Sequence, residues 1–225
     1  MANFSKPLLI IIPARKNSLR LKDKNIKKIN GKSLVENTIL FATKFKKLSN
    51  ILVSTDSEKI KKISQKYRDV IIHNRTKKFS GPKSQTIILL KKIIKWYEIN
   101  YKTKLKGIIL LQPTTPYRKK NTLSDTIKKF HKENFRYNYI SVSSDKLKNN
   151  LQIHKNNNLL NFLDRKTNNC YVNGSFYIFN KSKLKNNVKE TILNYKTKGV
   201  KINTIKYSID INDYNDLKLA KLYQK

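Results

Sequence analysis

The chain has 225 residues, of which 38% are hydrophobic, enough for one α/β domain with a sizeable core. Cys170 is the only cysteine, so an internal disulfide and a cysteine-based zinc site are excluded, and a reducing, cytoplasmic setting is expected. No apolar run approaches the length of a membrane-spanning helix, so we expect no membrane partner.

The net charge of +36 is compatible with nucleic-acid binding, because basic surfaces attract polyphosphates. The lysines, however, are spread among Asn and Ile residues without one dominant basic block. We therefore interpret the excess charge as a solvated surface that helps to attract an anionic substrate, with no specific nucleic-acid partner.

Apolar runs typical of strands alternate with helical patterns along the chain. The predicted strands are 7–12, 51–55, 69–73, 107–112, 139–144 and 175–180. The predicted helices are 33–45, 57–66, 84–99, 121–133 and the segment from Asp213 onward. Ser33 followed by Glu36 matches a capping box at the start of the first helix. Continuous apolar strands that alternate with helices predict a parallel sheet covered on both faces.

The segment 145–172 interrupts this alternation, because it is polar, rich in Asn and poorly periodic. We interpret it as an insertion with short strands or loops, which serves either as a dimer arm or as a mobile loop. No linker divides the chain, so residues 1–225 are predicted to form a single domain.

Ligands of such sheets bind outside the carboxyl ends of the strands, where the loops 13–25, 56–58, 74–83, 112–118 and 208–213 should meet. The chain contains five glycines, and neither a GxGxxG motif nor a P-loop is present. A phosphate ligand would therefore need side-chain donors. Arg15, Arg20 and Lys24 lie in the first of these loops and could supply them.

Five stretches resemble the motifs of one family in order and spacing. They are IPARKNSLRLKDKNI, ILVSTDSEKI, LLQPTTPYR, YVNGSFYIF and SIDINDYNDL. Together they resemble the acylneuraminate cytidylyltransferases, the CMP-nonulosonate or CMP-sialic acid synthetases. The resemblance implies a three-layer α/β/α nucleotidyltransferase-type sandwich with a mainly parallel sheet and a small insertion.

The same resemblance implies a reaction in which CMP passes from CTP to the anomeric hydroxyl of a nonulosonic acid, with release of pyrophosphate. The acid would be of the sialic, legionaminic or pseudaminic type, and the product would serve lipopolysaccharide, capsule or other surface glycan biosynthesis. Mg²⁺, or another divalent cation such as Mn²⁺, would neutralise the triphosphate, and the protein would be a cytoplasmic homodimer.

The resemblance also assigns residues to the nucleotide. Arg15 and Lys24 match a basic pair that binds the triphosphate, and both are expected to be catalytic. Asn25 matches a neighbouring nucleotide contact, and Arg75 matches an arginine near the cytosine. Ser84 is expected near the base as well, although capping of the following helix explains that residue equally well. The roles of Ser18 and Arg20 are less defined, and Ser18 could simply stabilise the turn.

The sugar acid is expected to contact Gln112, Arg118, Arg165, Asn173 and Gly174. Gln112 and Arg118 belong to QPTTPYR, while Asn173 and Gly174 match a pocket-lining pair for which a hairpin turn is the alternative. Arg165 would reach the carboxylate of the substrate.

The metal is expected to bind to Asp210, which matches the first carboxylate of a DID motif and is also assigned as catalytic. The second position of that motif is Asn212 in this chain, a departure from the family. Asp213 is the other possible ligand, but the N-cap of the last helix is the role that we favour for it.

Two other functions remain open on the sequence alone. One is a cytidylyltransferase for the eight-carbon acid KDO, which shares IPAR and the chemistry, although DKNI and NGSFYIF favour the nine-carbon group. The other is a basic nucleic-acid-binding protein, which would require a clustered basic face with outward aromatic side chains.

Overall fold

The computed structural model describes residues 6–76, 79, 86–143, 152–156, 159–161, 170–185 and 197–224. These residues form eleven strands in chain order: β1 (Leu8–Pro13), β2 (Lys28–Ile29), β3 (Lys32–Ser33), β4 (Ser49–Thr55), β5 (Val70–Asn74), β6 (Gly107–Leu110), β7 (Asn138–Ser143), β8 (Gln152–Asn156), β9 (Leu159–Asn161), β10 (Cys170–Asn180) and β11 (Thr197–Lys201).

The helices lie between the strands and after the last of them. They are α1 (Leu34–Thr43), α2 (Glu58–Gln65), α3 (Thr86–Asn100), α4 (Lys120–Lys132), α5 (Lys181–Lys185) and α6 (Tyr214–Leu222). The predicted capping box of α1 is confirmed, because the Ser33 side chain accepts from the Glu36 N–H and the Glu36 side chain accepts from the Ser33 N–H.

The described part of the main sheet has the strand order β5-β4-β1-β6-β10-β7-β11-β9-β8. Strands β5, β4, β1 and β6 are mutually parallel, and β11 is parallel to β7. Strand β10 is antiparallel to both of its neighbours, β6 and β7, so β7 again points in the direction of β6. The predicted mainly parallel sheet is confirmed, with β10 as an internal reversed strand.

Two apolar layers cover the central strands, because successive side chains of a strand point to opposite faces. Leu8, Ile10 and Ile12 of β1 pack with α1, α2 and α4 on one face. Leu9 and Ile11 pack with α3 and α5 on the other. These two layers make the fold the predicted α/β/α sandwich.

The structure adds elements that the sequence analysis did not predict. Strand β11 pairs in parallel with β7, although its sequence TKGVK contains no apolar run. The described residues of 145–172 form part of β10 and a β8–β9 hairpin at the end of the sheet, where β8 pairs with β10 and β9 with β11. A role of this segment as a dimer arm stays a prediction. Within the described ranges, no helix combines the length and apolarity that crossing a bilayer requires.

Candidate functional site

A polar cavity of about 270 Å³ opens at the carboxyl ends of β1 and β6, where the predicted loops meet. Four basic side chains line it, while Asp210 is the one carboxylate among the described lining residues. The basic residues are Arg15, Arg20, Lys24 and Arg75. The formal charge of this lining is therefore about three units positive, which suits a polyanionic ligand.

The loop after β1 is held in place by backbone and side-chain contacts. The Ala14 N–H donates to the Ser54 carbonyl at 2.9 Å, and the Lys16 N–H donates to Asp56 Oδ1 at 2.7 Å. The Asn25 amide donates to the Arg15 carbonyl at 2.9 Å and so closes the loop on itself. These bonds fix the loop to β4, and its basic side chains can therefore face the cavity without depending on a glycine-rich turn.

Burial and charge give Lys24 an unusual environment. Its ammonium donates to the Ile211 carbonyl at 3.0 Å, which ties the loop after β1 to the segment before α6. Burial lowers the pKa of Lys24, and the neighbouring Asp210 carboxylate opposes that shift. The nearby cations of Arg20 and Arg15 lower the pKa of Lys24 further. An anion placed among these groups would relieve their mutual repulsion.

Arg75 follows β5 and lines the same cavity. Its Nε donates to the Phe79 carbonyl at 2.7 Å, and its Nη2 contacts the same oxygen. Burial lowers the pKa of Arg75 to about 10, and the Arg15 cation acts in the same direction, while the Asp56 carboxylate opposes it. Arg75 therefore remains charged at neutral pH.

Gln112 lies in the loop after β6 and lines the cavity, while its contact with the sugar stays a prediction. The same loop is joined to the segment before α6, because the Ile211 N–H donates to the Thr114 carbonyl at 2.8 Å. It is joined to β10 as well, because the Thr115 hydroxyl donates to the Gly174 carbonyl at 3.0 Å.

Asn173 and Gly174 lie in an irregular stretch of β10, so the hairpin-turn alternative is wrong. The register against β7 shifts between Val172 and Tyr177, and the Ser141 hydroxyl bonds to both the N–H and the carbonyl of Phe176. Gly174 adopts a left-handed φ of 73°. A Cβ added there would lie 3.9 Å from Gln112 Oε1 and from the Tyr177 hydroxyl. The stretch thus forms a wall beside Gln112, although neither residue of the pair lines the 270 Å³ cavity itself.

Arg118 occupies a different place from the one expected for a direct substrate contact. It is 9% exposed and does not line the cavity. Its Nε donates to the Ser175 carbonyl at 2.9 Å, and its Nη2 donates to Thr115 Oγ1 at 2.9 Å and contacts the Gln112 carbonyl. Burial lowers the pKa of Arg118 to about 9. Arg118 therefore clamps the loop after β6 to β10 from behind the site.

The segment before α6 brings Asp210 and Asn212 into the cavity. Asp210 Oδ1 is buried and has no hydrogen-bond partner among the described residues. Asn212 donates to Asp210 Oδ2 at 3.0 Å and accepts from Arg20 Nη2 at 2.8 Å. Asp213 does not line the cavity. It caps α6 in a capping box with Asp216, which is the role that the sequence favoured.

The structure therefore brings together most of the residues expected at the site. The lining includes Arg15, Ser18, Arg20, Lys24, Asn25, Arg75, Gln112, Asp210 and Asn212. The predictions for Ser84 and Arg165 fall outside the described residues. Sequence reasoning missed Thr114 in the lining and Asp56 as the anchor of the first loop. Thr114 lies in LLQPTTPYR and Asp56 in ILVSTDSEKI, and the position of each directly after a strand is the signal that could have identified them.

Comparisons with known proteins agree with this geometry. A sequence model of the family described as cytidylyltransferase matches residues 9–224. The CMP-N,N'-diacetyllegionaminic acid synthase of Legionella pneumophila is 30% identical over an alignment 225 positions long, gaps included, which covers 95% of this chain and 94% of the relative. The N-acylneuraminate cytidylyltransferase of Escherichia coli is 29% identical over 122 residues, which cover 54% of this chain and 27% of the relative.

A solved CMP:2-keto-3-deoxy-manno-octonic acid synthetase complexed with CTP has a TM-score of 0.71. The match covers 96% of this chain and 97% of the other at 14% identity, so it shows a shared fold alone. The nearly full-length sequence matches identify the family of the chain, which the shared fold alone does not. The chain belongs to the cytidylyltransferase family and is a nucleotidyltransferase.

Proposed function

We propose that this protein transfers CMP from CTP to the anomeric hydroxyl of a nonulosonic acid, for surface glycan biosynthesis such as that of lipopolysaccharide or capsule. The hydroxyl loses its proton to the solvent as its oxygen bonds to the α-phosphorus of CTP. The bond between the α-phosphorus and the oxygen that bridges to the β-phosphate breaks, and pyrophosphate leaves with that oxygen. The observation that carries the proposal is the cationic cavity at one edge of the sheet, which three of the five family motifs line: IPARKNSLRLKDKNI, LLQPTTPYR and SIDINDYNDL.

Charge and placement support a division of labour within the cavity. Arg15 and Lys24 belong to the loop after β1 and Arg75 follows β5, and their charges would hold a triphosphate in one orientation. Gln112 lines the same cavity beside the irregular stretch of β10, and we assign the contact with the sugar acid to this part of the site. Reactions of this kind gain most of their rate from positioning and from electrostatic stabilisation of the phosphates.

We propose that a divalent cation, Mg²⁺ or Mn²⁺, binds at Asp210 and supplies further charge neutralisation for the triphosphate. The donor set fits, because Asp210 Oδ1 is a buried carboxylate oxygen without a partner among the described residues. No group of three or more His, Cys, Asp or Glu residues that could hold a metal occurs in the part of the chain that the structure describes. Mg²⁺ suits such a site, because it retains waters and binds through one or two carboxylates together with substrate phosphates.

Among nonulosonic acids, we propose the legionaminic type as the first substrate to test. The support is the nearly full-length match to the Legionella synthase, whereas the match to the acylneuraminate enzyme covers 54% of the chain. The KDO alternative has the IPAR stretch and the shared fold in its favour, at 14% identity to the solved KDO synthetase. We also propose that the protein acts as a cytoplasmic homodimer, and light scattering of the purified protein would test the oligomeric state.

The proposed function is tested by initial rates of pyrophosphate release with Mg²⁺ and a panel of acids. The panel contains N,N'-diacetyllegionaminic, N-acetylneuraminic and pseudaminic acids and KDO, each with CTP, UTP or ATP. We expect turnover with CTP and at least one nine-carbon acid, and none with the Asp210→Asn variant. Equal rates with KDO, or no turnover with any nine-carbon acid, would overturn the assignment.

A further inference from the structure

The amide of Asn212 lies between a group that only donates hydrogen bonds and a group that only accepts them. Arg20 Nη2 donates to Asn212 Oδ1 at 2.8 Å, and Asn212 Nδ2 donates to Asp210 Oδ2 at 3.0 Å. A guanidinium has no acceptor and an ionised carboxylate has no donor, so the orientation of the amide is determined by its neighbours. Asn212 Nδ2 also donates to the Asp210 backbone carbonyl at 3.3 Å, so both ends of the amide are in use.

The backbone fixes Asn212 in this position. The Asn212 N–H donates to Asp216 Oδ2 at 2.8 Å, and the same carboxylate oxygen accepts from the Asp213 N–H at 3.1 Å. The preceding Ile211 is fully buried, and its N–H and carbonyl bond to Thr114 and Lys24. The backbone that bears the Asn212 side chain is therefore held in place, and the side chain has little freedom to turn toward a ligand.

We propose that Asn212 is a positioning residue: its amide holds Asp210 Oδ2, so that Oδ1 is the oxygen left for the divalent cation proposed above to bind at Asp210. The inference rests on the proposed function, since the cation is the one that would accompany CTP. The amide occupies Asp210 Oδ2 and leaves Oδ1 buried and available. A carboxylate at position 212 could accept from Arg20, but it would face Asp210 with a second negative charge and no donor.

The physical consequence is that the site forms without a cation. Two carboxylates about 3 Å apart repel each other unless a proton or a metal ion lies between them. With Asn at position 212 the carboxylate of Asp210 is held by hydrogen bonds instead, and Arg20 connects that arrangement to the loop after β1. Asn212→Asp should therefore exchange a preformed site for one that depends on the metal ion.

Thermal unfolding without nucleotide or sugar tests the proposal. In chelator, Asn212→Asp should melt roughly 3–8 °C below the unchanged protein, because like charges replace a hydrogen bond. Saturating Mn²⁺ should recover that loss and raise the melting temperature of Asn212→Asp more than that of the unchanged protein. Asn215→Asp is the matched control, since it makes the same charge change on an exposed residue of α6. The control should show no difference that depends on the metal ion.

Binding of Mn²⁺, measured by electron paramagnetic resonance of the free ion, separates a ligand from a positioning residue. Asn212→Ala should retain detectable Mn²⁺ binding, Asp210→Ala should lose it, and Asn212→Asp should tighten it about tenfold or more. Equal loss in Asn212→Ala and Asp210→Ala would make Asn212 a ligand and overturn the proposal. An Asn212→Asp variant that melts with the unchanged protein in chelator would overturn it too. Neither measurement contains CTP or a sugar acid, so both can be interpreted even if the protein turns over none of the acids in the panel.

Discussion

Replacing Lys24 with Met should lower nucleotide binding much more than folding stability. The buried ammonium is placed to bind a ligand, and its burial reduces the stability that it contributes to the free protein. Loss of its bond to the Ile211 carbonyl would by itself cost about 1.5–3 kcal/mol, the range for hydrogen bonds to charged groups. Removal of the cation also relieves its burial and the repulsion from Arg20 and Arg15, which together outweigh the attraction of Asp210, and this offsets the cost. We expect a net change within about 1 kcal/mol and a melting temperature within about 4 °C of the unchanged protein.

Activity should respond much more strongly than stability. Loss of a buried contact to the triphosphate should raise the activation free energy by about 2–4 kcal/mol, which lowers kcat/KM roughly 30- to 1000-fold. Lys22→Met is the matched control, because Lys22 lies exposed in the same loop and does not line the cavity. Steady-state kinetics with CTP and thermal melts of both variants provide the test. Near-normal turnover of Lys24→Met, or a fall equal to that of Lys22→Met, would refute the reasoning.

Three further predictions concern the same site, and a fourth concerns Asp213, which lies next to it. Arg15→Ala should lower kcat/KM by about 2–4 kcal/mol with little change in the melting temperature; the reverse result would make the residue structural. Gly174→Ala and Gly31→Ala both place a side chain at a left-handed φ, which costs about 1–2 kcal/mol of stability. Gly174→Ala should cost more than Gly31→Ala, because its Cβ would lie 3.1 Å from Thr115 Cγ2, and it alone should raise KM for the acid, since Gly174 stands beside Gln112. The pKa of Lys24 is lowered in the folded protein, so the unchanged protein should lose CTP affinity at a lower alkaline pH than Lys24→Arg, as measured by calorimetry. Across the same pH range the stability of the free protein should rise with pH, because the unfolded chain binds more protons than the folded one. Asp213→Ala should cost about 1 kcal/mol of stability by denaturant unfolding and keep its activity; a complete loss of activity would make Asp213 a ligand.

Local patterns were enough to predict the sandwich, because burial on both faces leaves a direct mark on a strand. The β1 run alternates between the two cores, and the whole of β4 is buried, which is what a covered parallel sheet requires. Caps are local as well, since Ser33 and Asp213 bond to backbone groups three residues away. These features depend on neighbouring residues in the sequence and could therefore be predicted from it.

Strand direction and the identity of β11 depend on partners that are distant in the sequence. The apolar run of β10 carries no signal of its antiparallel direction, which follows from pairing with β6 and β7. The TKGVK segment has little apolar character, and its strand form depends on backbone bonds to β7. Hydrophobic periodicity cannot report either property.

The roles of Arg118 and Asn212 could not be predicted for the same reason. A sequence places Arg118 in a loop near the substrate, but its burial results from acceptors on Ser175 and Thr115 that the fold brings together. The amide of Asn212 is shared with Arg20, a residue 192 positions away. Motif matching located the site, while the partners of each side chain required the fold.

The account is tested most directly by identifying what happens to the nucleotide. The protein is incubated with CTP, Mg²⁺ and N,N'-diacetyllegionaminic acid, and the products are analysed by phosphorus NMR and mass spectrometry. The account predicts equal amounts of pyrophosphate and a phosphodiester that joins CMP to the acid through its anomeric oxygen. Free CMP without a conjugate, or CTP that remains intact with every nine-carbon acid supplied, would contradict it.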